Sequence, residues 1–491
     1  MRPAEPAYER LSARVTLALV FAAMLMVAAH AALVRQTIGL THATAAAFAA
    51  VAPLIAWIAL PAALGLVFAS RLAGVKPTRV TLGIVLGAGL AMRLLWFTVP
   101  APLEDDFNRY MWDGAVAARG LNPYTVPPQD FVKGTPLPGY ERMRPLQTGP
   151  QSSTSNAVLK GINFPELRTI YPSVAQAGFV IAHWLAPMQI NGLRAVFLGA
   201  ELMTLLLLLR LLAATGQSPL WSALYWWNPL AAFSAIGIAH VDALVPPFVL
   251  GALLAALTQR FTFAASLLAL GAGVKIWPVM LVPLVVAPLF SQPRRLLLAV
   301  LACGGVLAFA VGPLLLSTLQ PNSGLAAYAA GWSNHNAFYA WMAAALTQLT
   351  GNAQAAPKML RVGLVLATIA VALAATRYRL SRAVNDHDAS ATASELLTAA
   401  LIVAAAVFYL SPAQFPWYAL WFLPLAALAR NWPLLLASAT LPLYYLFFPL
   451  WETGRGDLYF FGTSFLHAVP VLGWLLMDWM RRRRVEHTVR H

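Results

Sequence analysis

Runs of about 20 apolar residues recur along this chain, the length a helix needs to cross ~30 Å of hydrocarbon. Such runs are read near residues 15–34, 44–69 and 80–99. They resume, after a polar stretch from 100 to about 170, near 194–213, 219–237, 243–259, 262–274, 276–290, 296–316, 357–376, 395–411, 416–430, 433–449 and 462–480. The pattern predicts an all-α polytopic membrane protein of roughly 13–14 transmembrane helices, several of them short or broken by proline. Only 10% of the residues are charged and 60% are hydrophobic, whereas soluble domains carry about 25% charged residues. A single membrane domain over 1–491 is therefore expected rather than a set of soluble domains.

The net charge of +15 comes from lysines and arginines set singly between apolar runs, with no basic stripe, which argues for lipid headgroups as partners and against nucleic acid. The single cysteine, Cys303, lies in the apolar run 296–316 and reads as a packing residue, so neither a disulfide framework nor a thiolate metal site is available. Arg2, Arg10 and Arg14 precede an apolar stretch that continues past Val34. That stretch is too long for a signal-peptide core and reads as a retained first span.

Lysine and arginine favour cytoplasmic loops. With the N-terminus inside, Arg71/Lys76/Arg79, Arg294/Arg295, Arg377/Arg379/Arg382 and the basic tail 481–491 all fall on the cytoplasmic face, so both termini are expected there. This requires that the helix expected over 171–188 not cross. Residues 100–190 are then an extracytoplasmic loop carrying surface or re-entrant helices. A connection of that length is usually functional or disordered; 147–158 (QTGPQSSTSNAV) reads as flexible, and 104–124 reads as an ordered helical stretch with charge pairs and aromatic residues.

The unusual polar motifs converge on the same face: Glu104/Asp105/Asp106, His240 and Asp242 in AHVDAL, Asn334/His335/Asn336 in GWSNHNAF, the string SPAQFPWY at 411–418, and Arg455/Asp457 in GRGD. The sharpest is LEDDFNRYMWDG at 103–114. A helix starting at the acids sets Asp106, Arg109, Tyr110 and Asp113 on one face. The acids have two readings, as caps for the helix N-terminus or as a general base toward an acceptor hydroxyl. Lys275, between two apolar half-spans, either snorkels to the interface or offers a cation to a lipid phosphate; for Arg93, snorkelling is the favoured reading. His240 with Asp242 is too small a set to define a metal site, so a phosphate contact is favoured and no metal is predicted, although a divalent cation stays open. The string at 334–336 and the aromatic run 415–421 read first as interface anchors.

The order of an acidic pair after an early span, DDFNRYMWDG followed by GLNPY, then TIYPSVAQ, WWNPL with HVDAL, VKIWP and a late SPAQFPWY resembles the GT-C superfamily of membrane glycosyltransferases. Within it the chain is similar to bacterial polyprenyl-phosphate-sugar-dependent enzymes of the mannosyltransferase type. The resemblance implies a GT-C-like bundle in the bacterial inner membrane. It also implies inverting transfer of a sugar from a polyprenyl-phosphate donor to a glycan, lipid or protein acceptor on the extracytoplasmic face. Such families place an aspartate four residues ahead of a tyrosine in the first large loop, here Asp106 before Tyr110. Asp106 is therefore the expected base, with Asp105 its neighbour, or its substitute if the register slips by one.

Lys275, His240, Arg109 and Arg455 are the candidates for the donor phosphate, whose leaving needs cations more than a strong acid. Glu104, Tyr110, Asp113, Asp242, His335, Gln414 and Tyr418 are candidates for the acceptor or sugar, and no cofactor is implied. The proline-broken helices are expected to leave a lateral groove for the lipid tail. Ser173, where relatives often show a second proline, and the lack of a large C-terminal soluble domain are departures that leave the acceptor open. A transporter or flippase would predict internal repeats and ionisable residues at the midplane, and no repeat is found. A ligase or polymerase of lipid-linked O-antigen would rely on arginine and histidine in a late loop, and the early acidic motif argues against it.

Overall fold

The computed structural model describes residues 5–72, 75–133, 139–150, 152–383 and 389–489. The side chains of Arg2, Arg10, Arg382 and Arg482 to Arg484 lie outside that description. Among the described residues the regular structure is helical, with one isolated bridge between Asn334 and Ala413. In chain order, α1 (Arg14–Gln36), α2 (Phe48–Arg71) and α3 (Arg79–Thr98) are followed by two shorter helices, α4 (Asp106–Ala118) and α5 (Ser173–Leu185). Then come α6 (Ile190–Ala214), α7 (Val245–Leu257), α8 (Phe261–Ala272), α9 (Pro293–Ser317) and the short α10 (Gly324–Gly331). The last four are α11 (Ala355–Ser381), α12 (Thr392–Tyr409), α13 (Trp432–Glu452) and α14 (Gly456–Arg481).

Nine of these, α1 to α3, α6, α9 and α11 to α14, are long and apolar enough to cross a bilayer, and a tenth span arises if the pair 229–237 and 241–257, bent by 105°, counts as one. The protein is a polytopic all-α membrane protein. The shortfall from 13–14 full spans has a local cause. The runs 219–237, 243–259, 276–290 and 416–430 contain Pro229, Pro246, Pro247, Pro278, Pro283, Pro288, Pro416 and Pro424. Each removes a backbone donor and crowds the preceding turn, so these stretches fold as short helical pieces.

Side chains such as Phe309 and Leu316 of α9 and Val362 and Leu366 of α11 face outward and stay exposed, an exterior suited to lipid rather than water. Inside, Trp226 and Trp227 are buried and donate their indole N–H groups to Leu86 and Val85 carbonyls, both at 2.9 Å, fastening the first broken stretch to α3. Arg93 does not snorkel. It is fully buried, with Nη2 at 2.6 Å from Glu201 of α6, Nη1 donating to the Gly89 and Trp226 carbonyls at 3.0 and 2.8 Å, and its guanidinium 3.5 Å from the Trp226 ring centre. A carboxylate supplied by another helix removes the reason to reach for the interface.

Connections alternate between two ends of the bundle. At one end, residues from the links after α1, after α3, before α5, between the bent halves, after α8 and after α9 line one cavity. At the other end, Gln217 donates to the Leu428 carbonyl at 3.0 Å, Arg430 sits over the Trp221 ring, and Arg260 and Arg295 share a surface depression. Helix α5 does not run from one end to the other. Tyr171, just before it, lines the cavity. Just after it, Asn191 and Arg194 donate to the Phe97 and Val99 carbonyls at the same end of α3 at 3.2 and 2.7 Å.

Candidate functional site

Helix α4 presents the acidic motif. Asp105 occupies its N-cap position but makes no side-chain capping bond; its carboxylate instead accepts from Asn163. The capping reading therefore does not describe Asp105. Along α4 the expected face forms: Arg109 Nε donates to Asp113 at 3.0 Å, one turn beyond the pair Asp106 and Tyr110. Close packing against α5 fixes this face. The Tyr110 ring stacks on Phe179 with centroids 4.7 Å apart, and a Cβ at Gly114 would fall 2.3 Å from the Phe179 carbonyl oxygen, so only glycine allows the two helices to meet there.

The cavity measures about 530 Å³ and contains Glu104, Asp105, Asp106, Arg109, His240, Lys275 and Tyr418 in its lining. Asp106 is central. Its side chain is 38% exposed, facing the cavity, while His240 behind it is 2% exposed. Oδ2 of Asp106 lies 3.3 Å from His240 Nε2 and accepts from the Tyr171 hydroxyl at 3.3 Å. The other ring nitrogen of His240 is 2.5 Å from buried Asp242, which also faces Lys275 Nζ at 3.5 Å and accepts from Trp421 Nε1 at 2.6 Å. His240 is stacked on Trp417 at 4.5 Å, and Lys275 lies over the Tyr418 ring. Lys275 is thus held by a carboxylate rather than by the interface. Leu103 and Ala239, immediately before Glu104 and His240, have φ of 58° and 51°, a left-handed backbone costing roughly 1–2 kcal/mol for a residue with a side chain. Strain of this kind clusters at functional sites.

The three consecutive acids differ in charge. Burial alone would raise Asp106, but the His240 hydrogen bond, the charges of His240 and Lys275 and the Tyr171 hydroxyl outweigh it and hold the carboxyl below the ordinary range. Burial, then repulsion from Asp106 and Asp105, lifts Glu104 well above ordinary carboxylate values despite a hydrogen bond from Tyr444. Burial and the neighbouring Asp106 raise Asp105 to about 6. The row therefore sets an acid whose ionisation is favoured, Asp106, beside two whose ionisation is disfavoured.

The other candidates divide. Tyr110, Asp113 and Asp242 lie behind the cavity wall: Tyr110 faces His240 at 3.3 Å, and Asp113 accepts from Gln176 at 3.1 Å as well as from Arg109. His335 and Gln414 form a separate buried cluster. His335 stacks on His467 at 4.4 Å, and Gln414 accepts from the Ala337 N–H at 3.0 Å and contacts His467 Nε2 at 2.9 Å. Neither His335 nor the aromatic run 415–421 is an interface anchor, since both are buried; Phe415, Trp417 and Tyr418 line the cavity. Arg455 is exposed and is not brought to the cavity. Among the described residues no group of three or more His, Cys, Asp or Glu is placed to hold a metal.

Sequence reasoning missed Arg168, Asn163 and His42, which also line the cavity, and gave no role to Tyr171. Tyr171 stood inside the quoted string TIYPSVAQ. The other three carry no periodic or paired signal in the sequence.

Comparison with known proteins gives one match. Residues 173–291 match the family described as alpha-(1->6)-mannopyranosyltransferase, N-terminal domain. The matched segment is less than half of the chain; it carries α5 to α8 with His240, Asp242 and Lys275, and it excludes the acidic row. It fits a mannosyltransferase-like membrane protein of GT-C type and supports a glycosyltransferase. No curated protein and no solved structure matches the chain.

Proposed function

We propose, taking the mannosyltransferase-like match as premise, that this protein is an inverting glycosyltransferase that moves a sugar from a polyprenyl-phosphate carrier to an acceptor hydroxyl on the extracytoplasmic face. One observation carries the reading: the ionised carboxylate of Asp106 faces a cavity whose wall also holds His240 and the Lys275 ammonium. An acceptor hydroxyl seated against Asp106 gives up its proton as its oxygen attacks the anomeric carbon. The bond from that carbon to the phosphate oxygen breaks on the opposite face, so configuration inverts. The electron pair leaves with the lipid phosphate, whose added charge is met by basic side chains of the cavity wall. Phe164, Trp332, Phe447 and Phe448 give the cavity an apolar flank for the polyprenyl chain. Mannose is the first sugar to try, on the wording of the family match.

The extracytoplasmic assignment is supported by charge. Links at the end away from the cavity carry Lys76, Arg79, Arg260, Arg294, Arg295 and Arg430. Short links of this kind set orientation, while a loop as long as 100–190 does not count toward it.

The test is transfer by the purified protein in lipid nanodiscs, supplied with a panel of polyprenyl-phosphate sugars and, separately, nucleotide sugars. Asp106→Asn is expected to slow transfer by ~10²–10⁴-fold, the usual contribution of a positioned base. Use of a nucleotide sugar alone, or undiminished transfer by Asp106→Asn, overturns the proposal.

A further inference from the structure

Among the described residues five cationic or imidazole side chains line the cavity, and four of them are engaged. Lys275 faces Asp242, and His240 sits between Asp106 and Asp242. Arg109 is bonded to Asp113 and to the Leu167 carbonyl at 3.0 Å. His42 contacts the Leu103 carbonyl. Arg168 differs. Its Nε and Nη1 are buried and have no hydrogen-bond partner. Buried donors are nearly always satisfied, so an orphan of this kind needs a reason.

A loose loop is not that reason, because the backbone around Arg168 is held on several sides. Its N–H donates to the Asn322 carbonyl at 2.9 Å, and the preceding carbonyl of Leu167 accepts from Arg109. On the other side, Gln176 donates to Thr169 Oγ1 at 3.1 Å. The Arg168 carbonyl also rests against α10 so closely that a Cβ at Gly324 would lie 2.3 Å from its oxygen. The main chain is fixed while Nε and Nη1 of the guanidinium are left without partners, an arrangement suited to an anion that arrives from outside the protein.

We infer that Arg168 is the phosphate-binding residue of this cavity, forming charge-assisted hydrogen bonds to the phosphate of a polyprenyl-phosphate lipid. The inference rests on the donor class proposed above and names the group that recognises it. A guanidinium presents two parallel N–H donors to phosphate oxygens. The charge logic agrees: Lys275, His240 and Arg109 already face carboxylates, so among the described residues Arg168 is the cavity cation free to meet the second negative charge that appears when the phosphodiester becomes a monoester.

The experiment measures binding rather than turnover. The full chain in phosphatidylcholine nanodiscs is titrated with polyprenyl phosphate and with the matching polyprenol, which lacks the phosphate. Wild type is expected to prefer the phosphate form. Arg168→Gln should weaken that form by between ~10- and ~100-fold while leaving the polyprenol unchanged, and Arg168→Lys should fall between the two. In turnover, Arg168→Gln should raise the donor KM without changing the acceptor KM, a split that a merely structural role would not produce. Full preference retained by Arg168→Gln overturns the inference and leaves the donor class standing. No preference in wild type overturns both. Competition by phosphatidylglycerol doped into the discs would reassign the residue to bulk lipid and also overturn it.

Discussion

Asp105 and Asp106 are adjacent, yet the structure assigns their charges opposite effects on stability. Asp105 is raised from 3.8 to about 6, by burial first and repulsion from Asp106 second. A group raised in this way has its stabilising, protonated contribution in full below the unfolded value near 4 and loses it as pH rises through about 6. Above about pH 7 it is ionised in both states, and the fold carries a charge it disfavours by ~3 kcal/mol at most. Partial exposure reduces this to ~1–3 kcal/mol.

Asparagine keeps the shape and can still accept from Asn163, so Asp105→Asn should stabilise the protein by that amount at about pH 7.5, and by about a third as much at about pH 4.5. Asp106 is depressed, so its contribution is present above the unfolded value and lost as pH falls through the folded one. Asp106→Asn should therefore destabilise at about pH 7.5 and still do so at about pH 4.5, the effect fading only as pH falls below about 4. Denaturant or thermal unfolding of both variants in one detergent, at the two pH values, reads this directly. Shifts of the same sign at neutral pH, or an Asp105→Asn effect indifferent to pH, would refute the assignment of charges on which the mechanism rests.

Other outcomes follow from the same geometry. Glu201→Leu strands the buried guanidinium of Arg93 and should cost ~3–5 kcal/mol, whereas the double variant Arg93→Met/Glu201→Leu should recover most of it; a double variant no better than the single one would show that the carbonyl contacts of Arg93 dominate. For sidedness, a thiol reagent that cannot cross the membrane should label Asn163→Cys and spare Arg295→Cys in intact cells, and the reverse pattern would place the cavity on the cytoplasmic face.

Much of the fold was legible because the bilayer admits few solutions: apolar runs of sufficient length became helices, and prolines accompany the stretches that broke into short pieces, although Pro53, Pro61 and Pro313 lie inside unbroken helices. The face of α4 was legible as well, since i,i+3 and i,i+4 spacing is a local property. Contacts made across sequence were not. Arg93 reads as a snorkelling residue until Glu201 appears beside it, and the aromatic run 415–421 reads as an interface belt until it is seen stacked around His240. Arg168 is an isolated basic residue in a polar stretch. It became notable only because the atoms around it are arranged and none of them bonds to Nε or Nη1.

The Arg93–Glu201 pair also bears on how the chain enters the membrane. Its partners are 108 positions apart, so at ~5–20 residues per second the ribosome delivers the carboxylate about 5–20 s after the guanidinium. Until then α3 holds an unneutralised charge, and a mid-helix charge costs ~2.5–3.5 kcal/mol on insertion. Arg93 lies five residues from the end of α3, so until then its side chain can reach the headgroup boundary, and it turns inward only when the fourth long helix supplies Glu201.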